Sequence, residues 1–389
     1  MTEKPKRRWY QYSLRSLFVV MTLFAIPCSW YAYEMNEAAK RRKAITEIEK
    51  VAGKVDWSFG NSLSDKFFGS NPDYASFDHA KNPDAGLVHL KDLPKLEALY
   101  LDETQVTDAG LAHLKGLQKL AKLSLEDTQI TDAGLVHLRD LVNLGDLELG
   151  NTQITDAGMV HLEGLMNLWT LKLNGTRITD AGLVHLKRLP ELSLLYLRDT
   201  QIAGAGLEHL RGLPSLNYLR LDGTQVADAG LKHLKCLTRV HHLSLDDTQI
   251  TDAGLVNFRE LNNLVNLSLE DTQITGTGLV HLKGMKDLTW LNLCRTSTTD
   301  AGLAHLTGSS NLRELSLQHT KITDAGLVHL RGLANLERLH LFGTEVTDAG
   351  LVHLEGLPKL EILDLDETQV TDEGVKKFQE ALPNCWIFK

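Results

Sequence analysis

A column of eleven histidines runs through the chain: His89, His113, His137, His161, His185, His209, His233, His281, His305, His329 and His353. Imidazoles at a fixed spacing suggest two chemistries, metal ligation and proton uptake near neutral pH. Each histidine stands three residues after a glycine, in octapeptides such as "TDAGLVHL" at 131–138 and 323–330. Zinc ligation fits poorly, because no cysteine or second histidine accompanies the ring at a fixed place from unit to unit. Packing between successive helices would also hold neighbouring rings about 10 Å apart. Asn257 and Lys377 occupy the same column, as polar spacers can and ligands cannot. The column therefore reads as structural, each ring filling the groove between adjacent helices and bonding a neighbouring backbone carbonyl. A graded response to acid remains open to it.

Other chemistry is sparse. The acidic residues Asp222, Asp246, Asp247, Glu270 and Asp271 have no loop to wrap a calcium ion, which needs six or more oxygens. They read as a diffuse cation-attracting strip. No "GxxxxGK", "HExxH" or "GxSxG" occurs, and no place holds a nucleophile, base and orienting group that the other units lack. The four cysteines (Cys28, Cys236, Cys294, Cys385) have neither metal-ligand spacing nor a paired framework. The expectation is no catalytic residue, no metal site and no cofactor.

The elements that carry these side chains are repeats. The octapeptide glycine falls every 24 residues from Gly86 to Gly374 without insertion or deletion. One unit reads "TDAGLAHLKGLQKLAKLSLEDTQI" (107–130). In its second half Leu123 and Leu125 alternate with Lys122, Ser124 and Glu126, the pattern of a strand with one buried face. In its first half Leu111 and Leu114 follow Thr107 and Asp108, a short helix with a capping threonine and an acid in its first turn. Such a unit cannot bury its own apolar side, but stacked copies can. The expected fold is α/β: a horseshoe solenoid with a parallel concave sheet and convex helices over 83–380. Thr104, Thr128, Thr152 and their equivalents to Thr368 close each strand. Their hydroxyls are expected to link neighbouring coils in a ladder.

The pattern "ITDAGL…HL…L…L..L.L..T" resembles leucine-rich repeats, and within them the cysteine-containing subclass typified by F-box proteins. Threonine replaces the cysteine of that subclass, the unit is shorter, and no F-box is visible, so a ubiquitin-ligase role does not carry over. The whole layout looks like the membrane-anchored leucine-rich repeat proteins of some environmental bacteria.

The flanks complete the layout. Residues 1–15 form a basic head and 16–33 an uncharged run that at helical rise spans roughly 27 Å, close to a bilayer's hydrocarbon thickness. Trp9, Tyr10 and Tyr12 precede the run, and Trp30, Tyr31 and Tyr33 close it, as an interfacial belt would. A cleaved signal peptide is the rival; no small-x-small site follows, and Pro27 before Cys28 suits lipoprotein acylation poorly. One transmembrane helix is expected. Lys4, Lys6, Arg7, Arg8 and Arg15 against Lys40, Arg41, Arg42 and Lys43 tilt the head to the cytoplasm and the solenoid outside. A charged helical linker is expected over 34–53, an N-terminal cap over 54–82, and a C-terminal cap over 381–389 with Trp386 covering exposed leucines.

Net charge is −9 overall, +5 in residues 1–50 and therefore −14 in the remainder, which argues against nucleic acid as a partner. With the repeat as scaffold, function falls to the varying positions on the concave strands. Two aromatic–arginine groups stand out there: Tyr196, Arg198, Tyr218 and Arg220 in the middle, then Trp290, Arg295, Arg338, His340 and Phe342. Tyrosine, tryptophan and arginine bury area at low entropic cost and still hydrogen-bond, so they suit a protein or peptide partner. A ligand-free envelope spacer and a carbohydrate-binding module are the rival readings.

Overall fold

The computed structural model describes residues 14–51, 54–56 and 72–389. The basic head at 1–13, with Trp9, Tyr10 and Tyr12, lies outside them, as do Ala52, Gly53 and the stretch 57–71. The strands form one fifteen-stranded sheet in sequence order. β1 (Lys54–Asp56) pairs antiparallel with β2 (Tyr74–Ser76); every later pairing is parallel. From β3 (Ala98–Tyr100) to β14 (Ile362–Asp364) each strand lies 24 residues after the last, and β15 (Trp386–Phe388) completes the series. Because no residue is gained or lost between units, the register puts equivalent residues side by side, as in Leu195↔Leu219 and Leu291↔Leu315. Coils are numbered here from coil 1 (83–106) to coil 13 (371–389), each a helical segment followed by a strand.

The leucine ladder is one continuous core. In coil 2, Leu111, Leu114, Leu117, Leu120, Leu123, Leu125 and Ile130 are all buried, and their equivalents bury likewise along the solenoid. The convex segments differ from the expected helices: most are one α-turn, such as Asp108–Leu111, running into a 3₁₀ turn, Ala112–Leu114. So few residues lie between one strand and the next that the backbone tightens to i→i+3 bonding. Thr107 caps as expected, its hydroxyl accepting from the Gly110 N–H.

Coil-to-coil attachment is not where the threonine column suggested. Thr128 Oγ1 donates to Leu125 O at 2.7 Å, within its own coil, and Thr104, Thr152 and Thr344 do the same three residues back. The cause is the preceding residue, which adopts a left-handed backbone in coil after coil, as in Asp127 (φ 56°) and Asn151 (φ 54°), folding the hydroxyl back over its own strand. The inter-coil tie is the aspartate of the octapeptide. Asp132 takes the Thr155 N–H at 2.8 Å through Oδ1 and the Thr155 hydroxyl at 2.6 Å through Oδ2. The same clamp joins Asp108 to Thr131, Asp156 to Thr179, Asp228 to Thr251 and Asp324 to Thr347. It also explains the glycine column: a Cβ on Gly158 would sit 2.3 Å from Asp132 Oδ1.

A single helix, Leu14–Lys50, runs through both the apolar run and the charged linker. Its second half packs Ala38, Ala44 and Ile48 against the first coils, with Phe77 buried beside β2. Among the described residues no helix is long and apolar enough to cross a membrane, so the expected transmembrane helix at 16–33 is not supported. Within that run the side chains of Ser16, Leu17, Val19, Val20 and Pro27 lie outside the described residues. At the other end Trp386 does not cover the leucines; it is 68% exposed and lies beside Phe388 on the concave side. Strand alternation sends Ile387 inward instead, and Phe378 and Cys385 are the buried cap residues.

Candidate functional site on the concave sheet

Side chains that alternate outward from the strands form rows across the concave face, one residue per coil at the strand spacing of about 4.8 Å. The first coils neutralise themselves. Lys122 reaches Asp146 at 2.9 Å and Glu148 at 2.7 Å, and Lys172 reaches Glu148 at 2.9 Å. Burial pushes the Glu148 carboxyl up, but the bonds from Lys122 and Lys172 outweigh it and hold it below the usual carboxylate range. This part of the face spends its polar groups internally.

The middle and later coils leave a trough. A cleft of about 730 Å³ extends from β8 (Tyr218–Arg220) to β13 (Arg338–His340). Tyr218 and Arg220 stand at one end, and Trp290 and Arg338 towards the other. Its floor is low because Ser244, Ser268 and Asn292 occupy the row that holds Lys172 and Tyr196 earlier. Tyr218 and Trp290 are three strands apart in the same row, roughly 14 Å.

The predicted residues divide. Tyr196 and Tyr218 come together, ring centroids 5.1 Å apart, and Tyr218 continues onto His242 at 5.5 Å. Burial lowers the His242 pKa and raises that of Tyr196, which favours the neutral form of each ring. Arg220 is held against Asp222 at 2.6 Å. Trp290 Nε1 donates to Glu314 Oε1 at 3.0 Å, and Arg338 meets the other oxygen of that carboxylate at 3.2 Å. His340 lies 3.7 Å from Glu314 and 3.8 Å from Asp364.

Tyr196 and His340 border the trough without lining it, and Arg198, Arg295 and Phe342 do not line it either. Arg295 has a left-handed backbone (φ 55°) at the turn after β11 (Trp290–Asn292) and pairs with Glu270 at 2.6 Å and Asp271 at 2.9 Å. Arg198 pairs with Asp199 at 3.0 Å on the same border, and Phe342 packs edge-on against His319 at 4.8 Å. The acidic strip therefore forms a lip along the strand ends rather than a divide between two patches. Asp246 sits where lip and trough meet; burial raises its pKa against the bonds from Ser268 and the Glu270 N–H.

The residues that sequence reasoning missed are the floor: Ser244, Asn266, Ser268 and Asn292, with His242 beside them. Their signal was a fall in side-chain size down one strand column, not any motif. Among the described residues no group of three or more His, Cys, Asp or Glu is placed to hold a metal ion. The histidine column finds side-chain partners rather than backbone carbonyls. His185 Nδ1 lies 2.8 Å from Glu163, Arg259 Nε donates to His281 Nδ1 at 3.1 Å, and Arg139 and Arg331 contact His161 and His353. In these four places the residue two positions after the histidine column reaches the next coil's ring, which sequence spacing alone concealed.

Family models described as leucine rich repeat match residues 286–346 and 356–378, so the chain carries leucine-rich repeats. No curated protein sequence matches it. Among solved structures, an internalin (inlF) from Listeria monocytogenes is 24% identical over 77% of this chain and 82% of its own, with a TM-score of 0.61. This likeness supports the solenoid fold. A leucine-rich repeat protein from Leptospira interrogans is 19% identical over 77% of this chain and 92% of its own, TM-score 0.46. The plant peptide hormone receptor RGFR1, in complex with RGF2, is 14% identical over 73% of this chain and 57% of its own, TM-score 0.46.

Proposed function

We propose that the chain is a non-enzymatic binding scaffold that receives a protein or peptide in the concave trough between Tyr218/Arg220 and Trp290/Arg338. The observation that carries this reading is the trough itself: aromatic and arginine side chains raised at both ends of a floor of serines and asparagines. A long cleft with anchors at separate points suits a segment lying across the strands, the anchors supplying energy and the floor its backbone hydrogen bonds. The test is photo-crosslinking from a benzophenone side chain placed at Ser268, with Val328 on the convex side as control. A defined partner crosslinked from Ser268 alone, and lost with Tyr218→Ala plus Trp290→Ala, supports the proposal. Equal products from both positions would refute it.

A glycan is the second reading, favoured by the planar amides of Asn266 and Asn292 between two aromatic rings. Retention of the chain on a polysaccharide column, abolished by Trp290→Ala while peptide crosslinking is absent, would decide for it.

We further propose that segment 16–33 tethers the chain to a membrane with the solenoid on the outer side. Phe18, Met21, Leu23, Phe24, Ile26 and Trp30 are exposed, and at about 100° per residue they point to every side of the helix. A helix apolar all round suits lipid better than a single groove. The count of basic residues, five before the run and four after it, favours the outer side. Protease added to intact cells expressing the full chain should digest the solenoid; survival until lysis would reverse the orientation.

A further inference from the structure

The convex face repeats one contact, in which the residue two places after the histidine column (Asn257 in coil 8) touches the histidine 22 positions later: Arg139 to His161, Glu163 to His185, Arg259 to His281, Arg331 to His353. Of the four arginines in this column, Arg139, Arg211, Arg259 and Arg331, Arg211 alone makes no hydrogen bond or ion pair to its histidine, His233. Where that contact would lie, a cleft of about 310 Å³ opens between coils 6 and 7. His209, Arg211, Lys232, His233 and Lys235 line it, together with the Cys236 thiol and the carboxylate of Glu208. Three fixed cations thus face one space on a body whose net charge is −14, and Glu208 is the one acid among them.

Two further observations single out this junction. The residue before the column histidine is valine or alanine in coils 1 to 12 except in these two, which carry Glu208 and Lys232. The aspartate–threonine clamp is also missing here on both sides. Gly204 replaces the aspartate of coil 6 and Ala227 the threonine of coil 7, and Gly204 has φ 109° with Gly230 packed against it. Coils 6 and 7 are therefore joined without the clamp, as coils 9 and 10 are at Gly276, and the joint between coils 6 and 7 lies beside a space lined with unneutralised donors.

We infer that this convex cleft binds a phosphate-type oxyanion that bridges Arg211 on coil 6 to Lys232 and Lys235 on coil 7. Arginine offers a planar fork of donors and each lysine three more, enough to surround a tetrahedral anion from both coils. The bound anion supplies the missing cross-tie, so it slows opening of this junction. The site is separate from the concave trough and does not depend on how that trough is used.

The test uses the full chain and inorganic pyrophosphate, followed by calorimetric titration and by hydrogen exchange over 203–240. Saturable binding with slower exchange confined to that segment is expected. Lys232→Val restores the residue usual in the repeat, so folding is kept; with Arg211→Gln it should weaken binding by roughly tenfold or more. Lys115→Gln, in the Arg211 column on coil 2, should leave binding unchanged. A local reading comes from Cys236, whose alkylation by iodoacetamide, followed by peptide mass spectrometry, should slow in the presence of pyrophosphate. Vesicles with and without a phosphoinositide headgroup separate the sources of the anion: capture by such vesicles with no uptake of free pyrophosphate assigns it to a lipid, and uptake of free pyrophosphate to a small molecule. No saturation with either probe, or an equal loss from Lys115→Gln, would overturn the inference.

Discussion

Asp132→Ala and Gly158→Ala should be far less harmful together than their separate effects add up to. Asp132 accepts two hydrogen bonds from Thr155, at 2.8 and 2.6 Å, in a half-buried setting. Net values for bonds to a charged group run about 1.5–3 kcal/mol, so losing the pair should cost about 2–3 kcal/mol after local repacking. Gly158→Ala should cost nearly as much, because its Cβ would stand 2.3 Å from Asp132 Oδ1 and evict the carboxylate. Alanine's better helix propensity returns up to about 1 kcal/mol of that. Once Asp132 is alanine, the crowding at position 158 falls away, so the double variant loses the clamp once rather than twice. The coupling between the two changes should be about 2 kcal/mol. Solenoids open locally, so a global melting curve is the wrong measure; hydrogen exchange of peptides covering 131–178 reads the junction itself. Each single variant should speed exchange there by about 30-fold for each 2 kcal/mol lost. Strictly additive effects, or an Asp132→Ala variant with unaltered exchange, would refute the link between the aspartate and glycine columns.

Thr128→Val should cost about 1 kcal/mol, since it removes one buried hydroxyl bond to Leu125 O, and faster exchange should stay within coil 2. Glu148 has a folded pKa below its unfolded value, so its contribution is present above about pH 4.3 and lost as pH falls through the folded pKa. Glu148→Gln should flatten the acid limb of a urea-midpoint-versus-pH plot. His161 and His281 are held low by burial and then by Arg139 and Arg259, so their contribution is complete above about pH 6.5 and fades as pH falls. Proton NMR should show both rings titrating below the ordinary histidine range, and Arg259→Gln should move His281 upward.

The solenoid was legible because its period is strict: an unbroken 24-residue repeat leaves one register, and Leu123, Leu147 and Leu171 can only stack on one another. The same arithmetic sets Tyr196 beside Arg220 and Tyr218 beside Leu194, so the two tyrosine rings meet as diagonal neighbours. What the sequence concealed depends on direction rather than spacing. Asp132 looked like a helix-dipole residue because nothing in "TDAG" says that its carboxylate points to the next coil. Arg295 looked like a neighbour of Trp290 until its left-handed backbone swung it out to the acidic lip. Serines 244 and 268 carried no signal as residues; they matter through the volume they leave empty. The terminal Trp386 was misplaced for a related reason, since its strand parity sends it to the concave face.

The clamp has a direction, and that direction bears on how such a chain can change its length. Most coils offer an aspartate forward and a threonine backward, so one such 24-residue cassette can follow another without a mismatch. Unequal recombination between near-identical DNA segments can then add or remove whole coils while both flanks still fit. Coil 6, with Ala203 and Gly204, has neither half of the connector, while coil 7 (Ala227) lacks the threonine and coil 9 (Gly276) the aspartate. Duplicating coil 6 would introduce one more unclamped joint, whereas duplicating coil 3 or coil 4 would lengthen the array without one.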